Sequence, residues 1–378
     1  MTRLRLIDPA TLTPADHAAW DRLGASAGRH PAFTEPWFMR QSLAHCRADE
    51  AVSLAVVEDG DGEWIGMLPL ARAGRHGRAP MPHVRAWFHP NQFQVAALVR
   101  EGMAISFWEA MLDGLEEHFP GRIAIGLQCL ATDYPGAQAL LAVCREQGRT
   151  VAIDQSYERA ILRADPGGQV PPIGTKQAAR IRSLERKIER ELGPLRFTVT
   201  RDPDKIAAEV DGFLALERSG WKGKNGSALS CDPETEAFFR AVVEEGSALG
   251  RFELAQLHAG DRPIAQTTLL TGRHGCFGFK MAFDGQYAQF GPGLVLMTRY
   301  TQSLVERGVG LVDSCSAPNQ QPISRLWPER TQLVDVCVAL NGPIRQLAFR
   351  SILALEGFHA RVIRGAPAND EQLAAVGG

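Results

Sequence analysis

Alternating and helical patterns of apolar positions divide the chain into two halves with nearly the same order of predicted elements. In the first half, two strands flank the turn Asp59–Gly62, whose residues favour a hairpin. In the second half, two strands flank the corresponding turn Ala259–Arg262. Each half reads β-α-α-β-β-β-α-β-α-β or close to it. The pattern therefore predicts an α/β (α+β) fold of two duplicated domains, each with a mixed, mostly antiparallel sheet flanked by helices.

Some of the predicted strands lie outside the hairpins. Val84–Phe88 and Phe93–Leu98 are extended runs in the first half, followed by a helix over Ser106–His118. In the second half, Gly310–Ser314 and Thr331–Leu340 are predicted strands. Thr331–Leu340 is assigned to the sheet of the second half because of its place in the chain.

Proline and glycine residues separate the two halves. The stretch 165–174 contains Asp-Pro-Gly-Gly and Pro-Pro-Ile-Gly, which are turn and linker sequences. We predict an N-terminal domain at 1–165, a linker with a basic helix at 166–194, a C-terminal domain at 195–364 and a flexible tail at 365–378.

Composition limits the classes of protein. The 378 residues include 41 Lys+Arg and 43 Asp+Glu, a net charge of −2, which argues against a nucleic-acid coat protein or a polybasic membrane binder. The longest apolar runs, such as Ala51–Val57, are far shorter than the ~20 residues that span a bilayer. The N-terminus has no signal-peptide pattern, so we expect a cytoplasmic protein.

The cysteine pattern disfavours disulfides and structural zinc. The chain has seven cysteines, an odd number, and no pair is spaced as Cys-x-x-Cys. We therefore expect free thiols that pack as small apolar groups, and we predict no metal site.

The linker helix Thr175–Leu192 is rich in basic residues. Arg182, Arg186 and Arg190 recur at every fourth position and share one face. A solvated linker helix is the favoured interpretation, because acidic residues are interspersed. The alternative is an anion-binding face for phosphates or an acidic partner.

The segment 280–298 carries the strongest chemical signal. A strand ending near Asp284 is followed by a short loop, Gly291-Pro292-Gly293, and then by an amphipathic helix. Free N–H groups and the positive dipole end at a helix start favour a phosphate, and glycine lets the backbone approach it. The alternative is a tight strand-to-helix turn, where glycine and proline are also common.

The chain resembles the GNAT acyltransferase superfamily, most closely the duplicated BioF- or CelD-like branch related to the Fem aminoacyl transferases. The resemblance rests on four motifs in the expected order: Ser219–Leu229, Lys280–Asp284, Phe290–Leu294 and Val312–Cys315. It implies a tandem GNAT fold and an acyl-CoA donor.

The resemblance also implies a donor site. The pantetheine arm would lie along the strand 277–284, and the pyrophosphate would lie at the loop formed by Phe290, Gly291, Gly293 and Leu294. The superfamily pattern has Arg or Gln where Ala288 stands in this chain. The first half lacks a corresponding glycine pair, so only the second domain is expected to bind a donor.

Three residues are candidates for catalysis. Asp284 could accept a proton or cap a turn, and Asp313, at the end of a predicted strand, could face a crevice or form structural hydrogen bonds. Lys280 could bind a carboxylate or phosphate, or be an exposed lysine on a strand.

Three further residues are candidates for substrate binding. Trp221 and Lys222 lie in a glycine-rich segment that could cover an anionic substrate, or could simply be a flexible loop. Many members of the branch carry Tyr-Lys where Ile323 and Ser324 stand here, and only Arg325 keeps a charge.

These observations favour an acyl-CoA-dependent N-acyltransferase, acetyl-CoA being the expected donor, that acts on a small amine or amino sugar in envelope or polysaccharide metabolism. The charge balance argues against a nucleic-acid partner, but the basic helix leaves open an aminoacyl-tRNA-dependent transferase of the Fem type. A non-catalytic GNAT scaffold in polysaccharide synthesis is the third alternative. The sequence does not specify the oligomeric state.

Overall fold

The computed structural model of the chain describes residues 2–317 and 321–364, so the predicted flexible tail at 365–378 lies outside the described residues. Up to residue 164 the elements are β1 (Arg3–Ile7), α1 (Pro14–Ser26), α2 (Pro36–His45), β2 (Val52–Glu58), β3 (Trp64–His76), β4 (Ala79–Ala86), β5 (Leu98–Val99), α3 (Ala104–His118), β6 (Ala124–Ala131), α4 (Pro135–Glu146) and β7 (Val151–Ala164). Three residues of 3₁₀ helix follow β1 (Pro9–Thr11), and three more precede α2 (Ala32–Thr34).

The rest of the chain continues in the same alternating manner. Its elements are α5 (Thr175–Leu192), β8 (Leu195–Thr200), α6 (Pro203–Ser219), α7 (Trp221–Lys224), α8 (Pro233–Ala248), β9 (Phe252–Ala259), β10 (Arg262–Gly272), β11 (Gly275–Phe283), α9 (Pro292–Glu306), β12 (Gly310–Asp313), α10 (Gln321–Leu326), β13 (Glu329–Ala339) and α11 (Pro343–Arg364). Leu229–Cys231 and Gly285–Phe290 form 3₁₀ turns.

The described elements form two compact units, and each unit is built from segments that are not contiguous in the chain. Within the described residues, unit 1 contains residues 2–36, Arg47–Tyr157 and residues 332–364, whereas unit 2 contains Trp37–Cys46, residues 158–317 and residues 321–331. The domains predicted from the sequence were contiguous, because local patterns do not reveal which segment packs against which core.

In unit 1, the sheet has the strand order β1-β2-β3-β4-β6-β13. Its pairs are antiparallel except β4 with β6, which is parallel. Helices α3 and α4 bury apolar side chains such as Leu112 and Leu140 against Ile125 of β6 and Val336 of β13. This burial is the main stabilising contribution in the unit.

The strand predicted at Phe93–Leu98 is wrong. Residues 87–97 are irregular, and only Leu98–Val99 pairs, with β3. Their apolar character comes from burial, because Trp87, Val95 and Ala96 all lie in the interior of the unit. A buried irregular segment has the same composition as a strand, so periodicity cannot separate the two.

The last strand of the chain lies in unit 1. β13 pairs antiparallel with β6, from Leu333 opposite Ala131 to Ala339 opposite Ala124. The place of this strand in the chain predicts the sheet of the second half, and that prediction is wrong. An apolar strand fits a central position in either sheet, so its partner depends on tertiary packing.

In unit 2, the sheet has the order β7-β12-β11-β10-β9-β8, and only β11 and β12 are parallel. One face is covered by α5, α9 and α10, with Ile188, Leu296 and Trp327 in the core. The other face packs against aromatic rings: Phe38 of α2 lies 5.6 Å from Phe238 of α8 and 6.0 Å from Phe279 of β11.

Both units are therefore mixed, mostly antiparallel sheets flanked by helices, and the predicted α/β (α+β) fold class is confirmed. None of the helices in the described part of the chain combines the length and apolar character needed to cross a bilayer.

Candidate functional site

Strands β11 and β12 of unit 2 separate after only two paired residues. Cys276 pairs with Val312 and Phe277 with Asp313, after which β11 continues to Phe283 without β12 beside it. Gly278 stands where the strands part, and a Cβ there would lie only 2.6 Å from the Ser314 carbonyl oxygen. The two strands thus form a V-shaped opening, and glycine is required at its closed end.

A β-bulge in β11 lies next to this opening. Between Thr267 opposite Met281 and Leu269 opposite Gly278, β10 advances two residues and β11 three. The Lys280 N–H donates to Thr268 Oγ1 at 2.9 Å, and the Lys280 carbonyl accepts from the same hydroxyl at 3.3 Å. Bulges bend a strand and redirect its side chains, and they are common beside functional sites.

Beyond the bulge, β11 presents backbone groups to the opening. The N–H groups of Lys280 and Asp284 bond to β10, at Thr268 Oγ1 and the Ile264 carbonyl. Because successive residues of a strand turn their backbone groups to opposite edges, Met281 faces the other way, into the opening. One of its groups has a partner there, since Lys222 Nζ donates to the Met281 carbonyl at 3.1 Å.

The glycine loop leads from β11 into α9, as the sequence predicted. Gly291 has a left-handed φ of 57° and precedes the first helical residue, Pro292. Leu184 of α5 covers Gly291, since a Cβ there would lie 3.0 Å from Leu184 Cδ1. Pro292 has no N–H, and the Leu294 N–H donates to the Gly291 carbonyl. Among the described residues of this first turn, the Gly293 N–H is therefore the one available to a group outside the helix.

The other two predicted donor-binding residues belong mainly to the core. Phe290 is 4% exposed and packs in the core of unit 2, and Leu294 is partly buried against the same core. The Phe290 ring also makes a cation–π contact with Lys187 of α5, whose Nζ lies 4.7 Å from the ring centroid. Helix α5 thereby brings positive charge to the loop.

Lys280 lies on the face of the sheet that α6 and α8 cover, beside Lys222 and Glu217. Burial, reinforced by the Lys222 charge, lowers the pKa of Lys280 to about 8, while Glu217 and Cys46 oppose the shift. Its Nζ lies 5.4 Å from the Phe279 ring centroid. Lys280 and Lys222, which the sequence predicts as separate candidates, are therefore close enough to interact electrostatically.

Glu217 organises this cluster, and it is not among the site residues predicted from the sequence. One oxygen accepts from Lys222 Nζ at 2.6 Å and the other from the Leu229 N–H at 2.8 Å. Glu217 is 3% exposed. A signal existed in the sequence: position 217 continues the apolar stripe Ile206, Val210 and Phe213 on α6, where an acidic residue requires a buried partner.

Trp221 lies at the start of α7 and is 56% exposed. The corner between α6 and α7 packs tightly against the end of β11, since a Cβ on Gly220 would lie 3.2 Å from the Phe283 carbonyl oxygen. Trp221 is thus a large exposed aromatic side chain on a well-anchored corner, next to Lys222 in the chain.

Asp313 is buried at the closed end of the opening. Its Oδ1 accepts the Cys315 N–H at 2.7 Å and lies 3.8 Å from Arg159 Nη1, and both side chains are about 5% exposed. Cys315 has a φ of 50°, which is unusual for a residue other than glycine. Burial and the Asp313 charge raise the pKa of the Cys315 thiol, so it is not a thiolate nucleophile.

The remaining two predicted residues lie elsewhere. Asp284 caps the 3₁₀ turn: its carboxylate accepts from the Gln286 N–H at 2.9 Å and from Gln286 Nε2 at 2.5 Å. Arg325 is exposed on α10, whose neighbours Leu326 and Trp327 pack on the α9 face of the sheet. Lys280 lies on the opposite face.

Unit 1 contains a similar divergence that its own chain fills. β4 and β6 pair only at Val84 with Ile125 and Arg85 with Gly126. After β4 the chain stays beside β3, where the Trp87 N–H donates to the Pro69 carbonyl, and it then runs beside β6, where the Val95 N–H donates to the Cys129 carbonyl. The edge of β6 beside the divergence is therefore occupied by residues of unit 1 itself.

Comparison with known proteins gives one family match. The acetyltransferase (GNAT) domain family, Acetyltransf_6, matches residues 175–320, a range that runs from α5 past β12. No curated protein matches the chain.

Solved structures share the fold. FemX is 11% identical with a TM-score of 0.57, over 91% of this chain and 99% of that one. L-PGS from Bacillus licheniformis is 13% identical with a TM-score of 0.53, over 92% and 97%. A C-terminal DUF2156 domain from Agrobacterium fabrum is 14% identical with a TM-score of 0.52, over 90% and 97%.

Proposed function

We propose that this chain transfers an acyl group from acyl-CoA to an amine. Residues 175–320 match the GNAT acetyltransferase domain family, in agreement with the superfamily that the motifs predicted. Acetyl-CoA is the proposed donor, and a small amine or amino sugar is the proposed acceptor. The observation that carries the proposal is the separation of β11 and β12, because in the described residues no strand pairs with this edge of β11 above the glycine loop and the helix start.

This opening suits a donor that is extended and rich in amide groups. A strand edge that has no second strand beside it binds extended chains by β-type hydrogen bonds. At the end of this edge, the Gly293 N–H and the Lys187 ammonium can bind the diphosphate of the donor. Acyl-CoA combines these two features and supplies the activated thioester.

The chain's own residues then have distinct roles in the proposal. Asp313, held beside Arg159 and the Cys315 N–H, keeps the closed end of the opening in place, while Asp284 holds the turn that leads to the loop. Lys280, Lys222 and Trp221 face the acceptor. Positioning of two reactants in this way accounts for much of the catalysis in acyl transfer to amines.

Calorimetry with acetyl-CoA and the full chain tests the donor site. We expect binding to the native protein and at least a tenfold weaker affinity for Gly291→Ala, because the new Cβ meets Leu184 in a left-handed backbone conformation. The control is Gly250→Ala, which has a similar φ of 66° but open space around it.

Gly250 precedes β9, whose residue Phe252 pairs with Leu270 at one end of β10. The end of β11 that leads to the glycine loop lies at the other end of β10, where Phe283 pairs with Ala265. The control therefore carries the backbone strain without touching the loop. Absence of acetyl-CoA binding to the native protein at millimolar ligand, or equal binding by Gly291→Ala, would contradict the proposed donor site.

A second candidate, aminoacyl transfer from tRNA as predicted from the Fem resemblance, is favoured by the surface of α5. Its exposed basic residues are Lys176, Arg180, Arg182, Arg186 and Arg190. The same helix packs on the donor loop through Leu184 and Lys187. A polyanion bound along α5 would therefore end near the opening.

Salt dependence separates the two candidates. Binding of tRNA through these cations should weaken steeply between about 50 and 200 mM salt, with the slope reduced in Arg182→Gln/Arg186→Gln. If tRNA is not retained at low salt, or is retained equally by that variant, the tRNA candidate fails.

A further inference from the structure

Helix α11 carries exposed apolar side chains along one side. Ile344 is 83% exposed, Leu347 68% and Leu355 67%, more than any other large apolar side chain in the described residues. The helical repeat places these three residues in one stripe, whereas the fully buried Phe349 lies on the opposite side. The helix is therefore packed through one side, and its apolar stripe is exposed to solvent.

The charges on α11 are mainly positive. Among its described side chains, Pro343–Leu355, Arg345 and Arg350 are basic and none is acidic. Arg345 donates to backbone carbonyls and Arg350 Nε donates to Thr150 Oγ1 at 3.1 Å, so neutral acceptors hold both guanidinium groups beside the helix. The sequence of the whole helix contains one acidic residue, Glu356, against four arginines. The helix thus combines an apolar stripe with basic flanks.

The hairpin of β3 and β4 lies on the same side of the sheet. Phe349 of α11 packs in one buried cluster with Met81 of β4 and Cys337 of β13. His76 at the hairpin tip lies 3.1 Å from Asp154 of β7, measured from Nε2 to Oδ1. Asp154 is near the same cluster, because burial and the Asp154 charge together raise the pKa of the Cys337 thiol. The hairpin tip and α11 therefore lie on one face of unit 1.

The hairpin is also basic. Arg75 and Arg78 at its tip are exposed, and Arg75 Nη2 donates to the Arg78 carbonyl at 2.7 Å. The chain from residue 64 to residue 100 contains five arginines and no acidic residue. The net charge of −2 argues against a polybasic surface over the whole chain, but it conceals this local excess of positive charge.

The carboxylates near these two elements are engaged or lie on the other side of the sheet. Asp154 pairs with His76, and Asp335 of β13 accepts a backbone N–H at 2.7 Å. Glu116, close to the start of α11, pairs with Arg149. Helix α3 packs on the opposite side of the sheet, and it carries the exposed residues Asp113 and Glu117.

We propose that α11 and the β3–β4 hairpin form a surface by which unit 1 docks on a bilayer that contains anionic lipid. An amphipathic helix of this kind lies in the plane of the interface, with its apolar side at the acyl chains and its arginines at the lipid phosphates. A second copy of the chain fits the stripe less well, because a symmetric contact would bring the arginines of both copies together. The inference goes beyond the proposed transfer reaction and uses no residue of unit 2.

Cosedimentation of the full chain with phosphatidylcholine vesicles that contain about 30 mol% phosphatidylglycerol tests this surface. We expect binding by the native protein and at least tenfold weaker binding by Leu347→Glu, which places a carboxylate in the apolar stripe. The matched control is Leu249→Glu, because Leu249 is also exposed, at 55%, but follows α8 in unit 2. Leu347 is on the surface, so thermal unfolding of Leu347→Glu should match that of the native protein.

A second pair of variants tests the charge. Arg75→Gln/Arg78→Gln should weaken binding to the anionic vesicles by roughly 30-fold and leave binding to pure phosphatidylcholine vesicles unchanged. The control is Arg182→Gln/Arg186→Gln, which removes two exposed arginines from α5 in unit 2 and should stay within twofold of the native protein. An equal loss in both double variants would show unspecific attraction and would overturn the proposal.

The remaining outcomes are equally decisive. Hydrogen exchange in α11 and the hairpin should slow when the native protein binds the anionic vesicles. Absence of vesicle binding, or binding without this protection, contradicts the proposal. If the native protein is a dimer that Leu347→Glu dissociates, and it does not bind vesicles, the stripe is an interface between two copies. None of these assays uses acyl-CoA, so their failure leaves the proposed transfer standing, and failure of acetyl-CoA binding leaves the docking surface standing.

Discussion

Replacing Glu253 with glutamine is expected to lower the free energy of unfolding by about 3 kcal/mol. Glu253 lies on β9 with no exposed surface. Its carboxylate accepts from Arg307 through two nitrogens, at 2.6 and 2.9 Å, from Arg201 Nε at 2.6 Å and from the Tyr300 hydroxyl. Glutamine cannot accept all four bonds, and it leaves the Arg307 charge without its partner.

Urea unfolding of Glu253→Gln and of a matched control measures this effect. The control is Glu236→Gln, because Glu236 pairs with Arg240 on the surface of α8, where such pairs contribute about 0–1 kcal/mol. A loss below about 1 kcal/mol for Glu253→Gln, at an unchanged m value, would show that the buried network contributes little.

The same network makes the stability depend on pH. Burial acts to raise the pKa of Glu253, but hydrogen bonds from Arg307 and Tyr300 and the charges of Arg307 and Arg201 outweigh it, so the pKa lies below the ordinary 4.5. The contribution of Glu253 is therefore full above pH 4.5 and is lost as the pH falls through the folded-state pKa. The difference between native protein and Glu253→Gln should shrink under acid conditions.

Replacing Asp313 with alanine is expected to destabilise unit 2 by about 3–5 kcal/mol and to abolish acyl transfer. Arg159 would keep a buried charge without its acidic partner, and the Cys315 N–H would lose its acceptor. The turn after β12, at which β12 and β11 separate, would then lose the two contacts that fix its conformation. Unfolding curves and acetyl-CoA turnover give the two readouts.

A double variant separates a structural Asp313 from a catalytic one. Arg159→Met/Asp313→Leu removes both buried charges, and apolar replacement of a buried ion pair often restores stability. If Asp313 only positions the turn, the double variant should recover part of the acetyl-CoA turnover along with stability. Recovery of stability with no recovery of turnover would indicate that the carboxylate is needed beyond the ion pair with Arg159, either to hold the Cys315 N–H or in the reaction itself.

The sequence predicted the turn from strand to helix at Gly291–Gly293 well and the contacts around Glu217 poorly. Gly291-Pro292-Gly293 was recognised because glycine and proline act on the backbone at their own positions, and Gly291 indeed has a positive φ. Glu217 was missed, because its importance comes from Lys222 and Leu229, which contact it only in the folded chain. Asp284 was assigned to catalysis as a hypothesis, and the structure shows it capping a turn.

The sequence by itself determined the helices, most strands, the hairpin turns and the α/β class, because periodicity and turn chemistry are local properties of the chain. Only the tertiary structure decided which strand lies beside β6, where β11 and β12 part, and which carboxylates are buried with arginine or lysine. These features depend on contacts between residues far apart in the chain. Their energies come from burial and charge pairing, which no local pattern records.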